Sequence, residues 1–347
     1  MNTERRYDID WLRVIAIGLL MIYHVAIVFQ PWGLMIGFMT NKKSWESLWI
    51  PMTMLNVWRI PLLFFISGMG IYFSFQNRNW KQLLKERTLR IFIPFVFGYL
   101  VIVPAYTFIL QYYYGWKSQY LPNPGHLWFL GNIFIYVILT LPLFYYIKKY
   151  PDHTFIQGFK RFMGNSVALV FVTGFFILEV VLVQPAMFEM YVMTWHGFFL
   201  GWLAFIFGYF FAMSGDSFWS MLVKYRWVFL LLAILLYVIR VIKRVVLPYR
   251  INLAVESCAF IFSAFAFGRK YLNHPGNVLS YLSKAAYPVY IIHMIFIALS
   301  CMLILPLEMN VPFKYVTVLA LTISGSLLCY EFLIRRFKIL KILFGVK

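Results

Sequence analysis

Acidic residues are scarce in this chain. Its 347 residues hold 12 Asp plus Glu against 31 Lys plus Arg, and charged residues of both signs make up only 12% of it. Soluble domains carry about 25% charged residues and at most about half apolar ones. Here 63% of the residues are hydrophobic and 21% aromatic. A water-exposed surface cannot hide that excess, because soluble folds rarely expose apolar patches beyond a few hundred Å². A soluble enzyme, a disordered chain and a coiled coil are therefore excluded. Cysteine is nearly absent. Cys258, Cys301 and Cys329 all sit in apolar runs, so they read as small buried hydrophobes, without a disulfide framework or a CxxC site. HExxH, DxD and His/Cys clusters are missing, so no metal site is expected. GxSxG elbows, P-loops and dinucleotide fingerprints are missing too. Arg5 and Arg6 precede an apolar run that is too long, and lacks the small-residue cleavage site, for a cleavable signal peptide. The net charge of +19 is not gathered into one basic stripe, so nucleic acid is not expected as a partner.

What the chain does have is a series of long apolar runs, and the class they point to is an all-α polytopic membrane protein. Spans are expected at about 11–30, 51–75, 91–111, 127–147, 165–184, 195–213, 227–242, 253–268, 286–306 and 313–332, about ten in all, the seventh and eighth being short. No linker or low-complexity segment separates them, so residues 1–347 read as one integral membrane domain. No internal repeat is visible, which disfavours the inverted-repeat transporters. With the N-terminus inside, the predicted inside loops carry 21 of the Lys and Arg residues, the outside loops 7, counting Lys314 at the edge of the last span, and the spans 3. Basic residues favour the cytoplasmic side, so both termini are expected there. One local exception is the outside loop 243–252, with Lys243, Arg244 and Arg250. Trp11, Trp32, Trp45, Trp195, Trp219 and Trp227 fall near span ends, as an interfacial belt requires.

Ionisable groups inside a span cost several kcal/mol and mark functional candidates. The first span holds Asp10, Arg13 and His24. Arg13 and His24 are 11 residues apart, roughly three helical turns plus about 20°, so they share one face about 16 Å apart along the axis. Asp10 falls on the same stripe. Histidine titrates near neutrality, and a neutral imidazole can take a proton from a hydroxyl. A packing hydrogen bond to a neighbouring helix is the plain alternative. In the second span, Arg59 either acts within the membrane or snorkels to the interface, while Ser67, Gly68 and Gly70 allow close helix approach. Arg87 and Arg90, spaced i and i+3, lie on one side of the helix entering the third span. Paired guanidinium groups suit a phosphorylated ligand, although positive-inside character alone also accounts for them. His126 and Trp128 open the fourth span behind a Pro/Gly turn, where the indole either stacks on a sugar or anchors at the interface. Glu331 is followed by Arg335, so a local i,i+4 ion pair is expected. Glu179 and Glu256 lie deeper and need partners, Arg240 and Arg59 among the options. His196 and His293 are lone histidines on apolar helices.

Seven segments, taken together and in order, resemble the acyltransferase 3 family of integral membrane acyltransferases: DWLRVIAIGLLMIYH, RIPLLFFISGMGIYF, ERTLRIFIPF, GHLWFLGNIFIY, WHGFFLGWLAFIFGYFFA, YLSKAAYPVYIIHMIF and YEFLIRRFKILKILFG. The opening DWLR, the PWG after the first span and the lack of an attached hydrolase-like domain are most similar to glucan biosynthesis protein C-like members. The resemblance implies transfer of an acyl group, commonly acetyl or succinyl, from cytoplasmic acyl-CoA to a hydroxyl of an extracytoplasmic or lipid-linked acceptor, often a carbohydrate. It implies a multi-pass protein of the inner (plasma) membrane, with acyl-CoA as co-substrate and no tightly bound cofactor. It also implies His24 as the essential imidazole with Arg13, oriented by Asp10, as its helix partner, and Arg87 and Arg90 at the cytoplasmic mouth. Arg59, His126, Trp128 and Glu331 are expected among the substrate contacts, Arg59 as the group opposite the developing oxyanion. Two other classes fit the same spans and charges: a transporter or flippase for a lipid-linked sugar or organic acid, and a structural subunit of an envelope-polysaccharide complex.

Overall fold

The structure, a computed structural model, describes residues 5–243 and 249–346. Arg244 of the predicted basic outer loop and Lys347 of the basic C-terminus lie outside the described residues. Thirteen helical stretches are used below: α1 Tyr7–Val28, α2 Trp49–Gln76, α3 Trp80–Tyr113 and α4 Gly125–Lys149, α5 Thr154–Met163, α6 Val167–Val183, α7 Trp195–Met213, α8 Asp216–Lys224, α9 Arg226–Lys243, α10 Tyr249–Tyr271, α11 Asn277–Ile304, α12 Val311–Ile334 and α13 Lys338–Leu343. Among the described residues eight helices are long and apolar enough to cross a membrane, or up to ten when each bent pair counts as one span. The polytopic all-α expectation therefore holds, and the short predicted eighth span is the longer, continuous α10.

The helices of the fifth and seventh predicted spans are each preceded by a sharp bend. α5 meets α6 at 91° and α8 meets α9 at 57°. The first break falls at Gly164, Asn165 and Ser166, where the Asn165 Oδ1 accepts from the Val167 N–H at 3.2 Å. A short polar side chain that bonds the backbone locally in this way offers it an alternative to the helical ladder. At the second break the Arg226 guanidinium donates to the Val223 carbonyl at 2.7 Å, covering an open end of α8.

Prolines within spans remove a donor and free the carbonyl four residues earlier. In lipid that carbonyl needs another partner, and for Pro61 and Pro104 the fold supplies one. Pro61 cannot donate to the Val57 carbonyl, which instead accepts from the Tyr191 hydroxyl at 3.0 Å and from Ser257 Oγ at 2.9 Å. Pro104 cannot donate to the Leu100 carbonyl, which accepts from the Tyr120 hydroxyl at 2.8 Å. The ladder of α3 widens to π turns at Thr88–Phe92 and Gly98–Ile102, each ending two residues before a proline.

The chain packs into two compact units, each assembled from three segments. The first comprises Met1–Ala16, Asn56–Glu86 and Asn132–Leu279, the second Ile17–Leu55, Arg87–Gly131 and Ser280–Lys347. In the first unit α2 and α7 touch backbone to backbone. A Cβ on Gly68 would lie 1.9 Å from the Phe205 carbonyl oxygen, and one on Gly208 would lie 2.1 Å from that of Phe65. Rings fill the surrounding core: Phe144 lies flat on Tyr209 at 3.7 Å, and Phe65 stacks on Phe211 at 5.2 Å. In the second unit the buried Lys314 ammonium donates to the Leu305 carbonyl at 2.7 Å and to Asn41 Oδ1 at 3.3 Å, fastening the segment after α1 to the start of α12.

Candidate active site

His24, one of the ionisable groups of the first span, belongs to the second unit, and three imidazoles meet there. His24 Nδ1 lies 2.8 Å from His293 Nε2 on α11. The two rings are nearly parallel, with centroids 5.1 Å apart. His293 is fully buried, and its Nδ1 lies 2.7 Å from the carbonyl oxygen of Tyr290, one turn earlier on the same helix. His126 stands edge-on to His293 at 5.0 Å. Among the described residues no three His, Cys, Asp or Glu side chains are grouped to hold a metal ion.

A tight turn aims His126. Asn123 Oδ1 accepts from the Gly125 N–H at 2.9 Å, an Asx turn, and Gly125 adopts φ +46°. A side chain there would also strike the Tyr106 hydroxyl and Val103, at 2.9 and 3.0 Å. The imidazole that follows places Nε2 3.0 Å from the Ile291 carbonyl oxygen. The Tyr290 hydroxyl donates to the His126 carbonyl and clamps the same turn to α11. A carbonyl only accepts, so His126 Nε2 carries the proton and Nδ1 the lone pair. That Nδ1 is buried without a hydrogen-bond partner among the described residues, an acceptor awaiting a donor.

Arg87 and Arg90 also belong to the second unit. Both are electrostatic neighbours of Tyr287, whose hydroxyl is buried and has no hydrogen-bond partner among the described residues. The chain's last described residues pack beside them. Gly345, at φ +63°, would bring a Cβ 2.6 Å from the Arg90 carbonyl oxygen and 3.0 Å from the Tyr287 ring. The Phe344 ring packs edge-on against Phe97 at 5.4 Å.

Asp10 and Arg13 are in the first unit. Asp10 accepts from Arg13 at 2.9 Å and from Arg5 at 2.9 and 3.2 Å, so it orients guanidinium groups. Its neighbour Asp8, not singled out from the sequence, is fully buried and held by Arg6 at 2.6 and 2.9 Å. Arg59, also in the first unit, is 1% exposed, so it does not snorkel. Trp128 is buried at the start of α4, 6% exposed. Glu331 makes the expected local pair, accepting from Arg335 at 2.8 and 2.9 Å at an exposed helix end. The deeper acids of the first unit have partners as well. Glu256 accepts from Arg240 at 2.7 and 3.0 Å. Glu179 lies 3.0 Å from His196 Nδ1, while His196 Nε2 is 3.0 Å from the Phe188 carbonyl oxygen. His196, through Phe188, and Arg240, 3.8 Å from Glu189, tie down the segment before α7, where Asn56 also donates to the Glu189 carbonyl at 3.2 Å.

No curated protein and no solved structure matches the chain. A family model described as an acyltransferase domain matches residues 6–331, nearly the whole length, including α1 with His24, the His126 turn and the His293 helix. The chain belongs to the acyltransferase 3 family.

Proposed function

We propose that the protein is a membrane O-acyltransferase of the inner (plasma) membrane. It moves an acetyl or succinyl group from cytoplasmic acyl-CoA to a hydroxyl of a carbohydrate acceptor of the cell envelope, as glucan biosynthesis protein C-like proteins of this appearance are expected to do. The observation that carries the reading is the hydrogen-bonded imidazole pair, His24 Nδ1 to His293 Nε2 at 2.8 Å, in a protein of an acyltransferase family. Acyl transfer needs a base at the acceptor hydroxyl, and a positioned neutral imidazole supplies one. The hydroxyl oxygen forms a bond to the thioester carbon as His24 takes the hydroxyl proton. The carbon–sulfur bond then breaks, and that proton leaves on the CoA thiolate. His126 Nδ1 accepts from a second hydroxyl of the same acceptor and fixes its orientation.

Arg87 and Arg90 hold the phosphates of acyl-CoA by charge-assisted contacts, and the Tyr287 hydroxyl adds a third donor. Arg87→Ala or Arg90→Ala is expected to raise KM for acyl-CoA by about 10- to 100-fold, the range of a lost hydrogen bond to a charged group. Tyr287→Phe is expected to raise it by about 2- to 10-fold. Steady-state turnover with the acyl-CoA concentration varied measures both, with kcat expected to hold.

The reading is tested on purified protein in lipid nanodiscs, supplied with acetyl-CoA or succinyl-CoA with and without envelope glucan. Free CoA thiol is expected to appear only when the acceptor is present, alongside a glucan heavier by one acyl unit. Solute movement across a vesicle membrane without thioester consumption overturns the reading in favour of a transporter.

A further inference from the structure

We infer that His293 is a positioning residue that sets which nitrogen of His24 is the base. The inference rests on the reading of His24 as the catalytic imidazole. It starts from a contact that admits a single hydrogen assignment. The Tyr290 carbonyl can only accept, and His293 Nδ1 lies 2.7 Å from it, so His293 Nδ1 carries a proton. A neutral His293 then has its lone pair on Nε2. That atom faces His24 Nδ1 at 2.8 Å, so His24 Nδ1 carries the proton and donates it. The lone pair of His24 is thereby placed on Nε2, the atom that takes the acceptor hydroxyl's proton.

A free histidine side chain favours the opposite tautomer, with the proton on Nε2. The fold therefore holds His24 in its less favoured neutral form, and burial supports this. His293 is fully buried, so bulk water does not reach its Nε2. The nearly parallel rings, 11° apart, keep the two nitrogens facing each other. Stacking on the Tyr290 ring at 6.0 Å and the edge of His126 at 5.0 Å hold the His293 ring from other sides.

The same contact gives the abstracted proton somewhere to rest. When His24 Nε2 binds the hydroxyl's proton, the proton on His24 Nδ1 shifts along the hydrogen bond to His293 Nε2. His293 then carries protons on both nitrogens, one donated to the Tyr290 carbonyl and one donated back to His24 Nδ1. Reversal of the shift returns that proton to His24 Nδ1, and the departing CoA thiolate takes the proton held on His24 Nε2. No proton is gained or lost over the cycle beyond the one moved from hydroxyl to sulfur.

The test uses the full-length protein, labelled with ¹⁵N-histidine, in lipid nanodiscs. In the wild type, nitrogen shifts of His24, assigned by their loss in His24→Ala, are expected to show the proton on Nδ1. Finding it on Nε2 overturns the inference without any variant. In His293→Phe the His24 proton is expected to move to Nε2, and kcat to fall about 10- to 100-fold with KM for acyl-CoA unchanged, the usual cost of losing a group that orients a histidine. His293→Gln offers a donor and an acceptor on one planar group and is expected to recover at least half of the lost kcat on a logarithmic scale. Wild-type kcat in His293→Phe overturns the inference, as does equal loss in both variants with the His24 tautomer unmoved. Retention of transfer by His24→Ala sinks the underlying reading instead, so the two failures are distinguishable.

Discussion

His24→Ala is expected to abolish measurable acyl transfer while leaving the protein in the membrane at wild-type abundance. A positioned general base contributes about 10²- to 10⁴-fold to rate, and His24 is the imidazole that both the helix-face reading and the ring pair with His293 single out. Alanine is the best helix former, so α1 keeps its geometry. The structural cost is the donor lost to His293 Nε2, about 1–3 kcal/mol for a buried acceptor left unpaired. That is small beside the apolar burial of eight or more spans. The measurement pairs thiol release from acyl-CoA with the amount of protein extracted from the membrane. A variant that keeps most of its turnover removes His24 from catalysis. A variant that disappears from the membrane gives it a structural role instead.

The largest expected effect on stability lies at the α2–α7 contact. Gly68→Val and Gly208→Val are each expected to destabilise by about 3 kcal/mol or more, the upper end of the overpacking range, because the obstacle is backbone. The nearest atoms to the new Cβ are the carbonyl oxygens of Phe205 and Phe65, at 1.9 and 2.1 Å, and neither can rotate aside. Small residues let membrane helices approach this closely, and close approach is itself the source of their packing energy. Gly70 is the internal control. It stands two residues from Gly68 in the same SGMG stretch, but a Cβ there meets nothing within 4 Å. Gly70→Ala is expected to be neutral or slightly stabilising, through the higher helix propensity of alanine. Thermal unfolding of the detergent-solubilised proteins separates the two classes, and similar losses at Gly68 and Gly70 overturn the argument.

The spans were legible in the sequence because an apolar run of about 20 residues has few other uses. The bends were not. Gly164–Asn165–Ser166 lies at the expected start of the fifth span, and the sequence carries no sign that a separate helix before it meets α6 at 91°. His24 was legible because an ionisable ring in an apolar helix is costly. Its partner was not, since His293 is 269 residues away and lone histidines on apolar helices look alike. His196, of the same outward appearance, turned to Glu179. Arg240 was one of the two arginines put forward as partners for the deep acids, and it took Glu256. The choice between Arg240 and Arg59 depends on which helices touch, and periodicity does not carry that information. The Tyr287 hydroxyl beside Arg87 and Arg90 went unnoticed because tyrosine is common in this chain, with 24 copies, and only packing reveals one without a partner.

The doubly used carbonyl of Val57 has a consequence for how this chain can change over time. A carbonyl oxygen has two lone pairs, and Tyr191 and Ser257 occupy both. A helix interior normally gains about 3 kcal/mol when a proline is replaced by alanine. Here the restored amide hydrogen finds its acceptor taken, and at least one hydroxyl must give way inside a greasy core. Positions 61, 191 and 257 therefore form an inherited set: descendants that lose the proline should lose a hydroxyl at 191 or 257 along with it, and aligned relatives should show the three varying together.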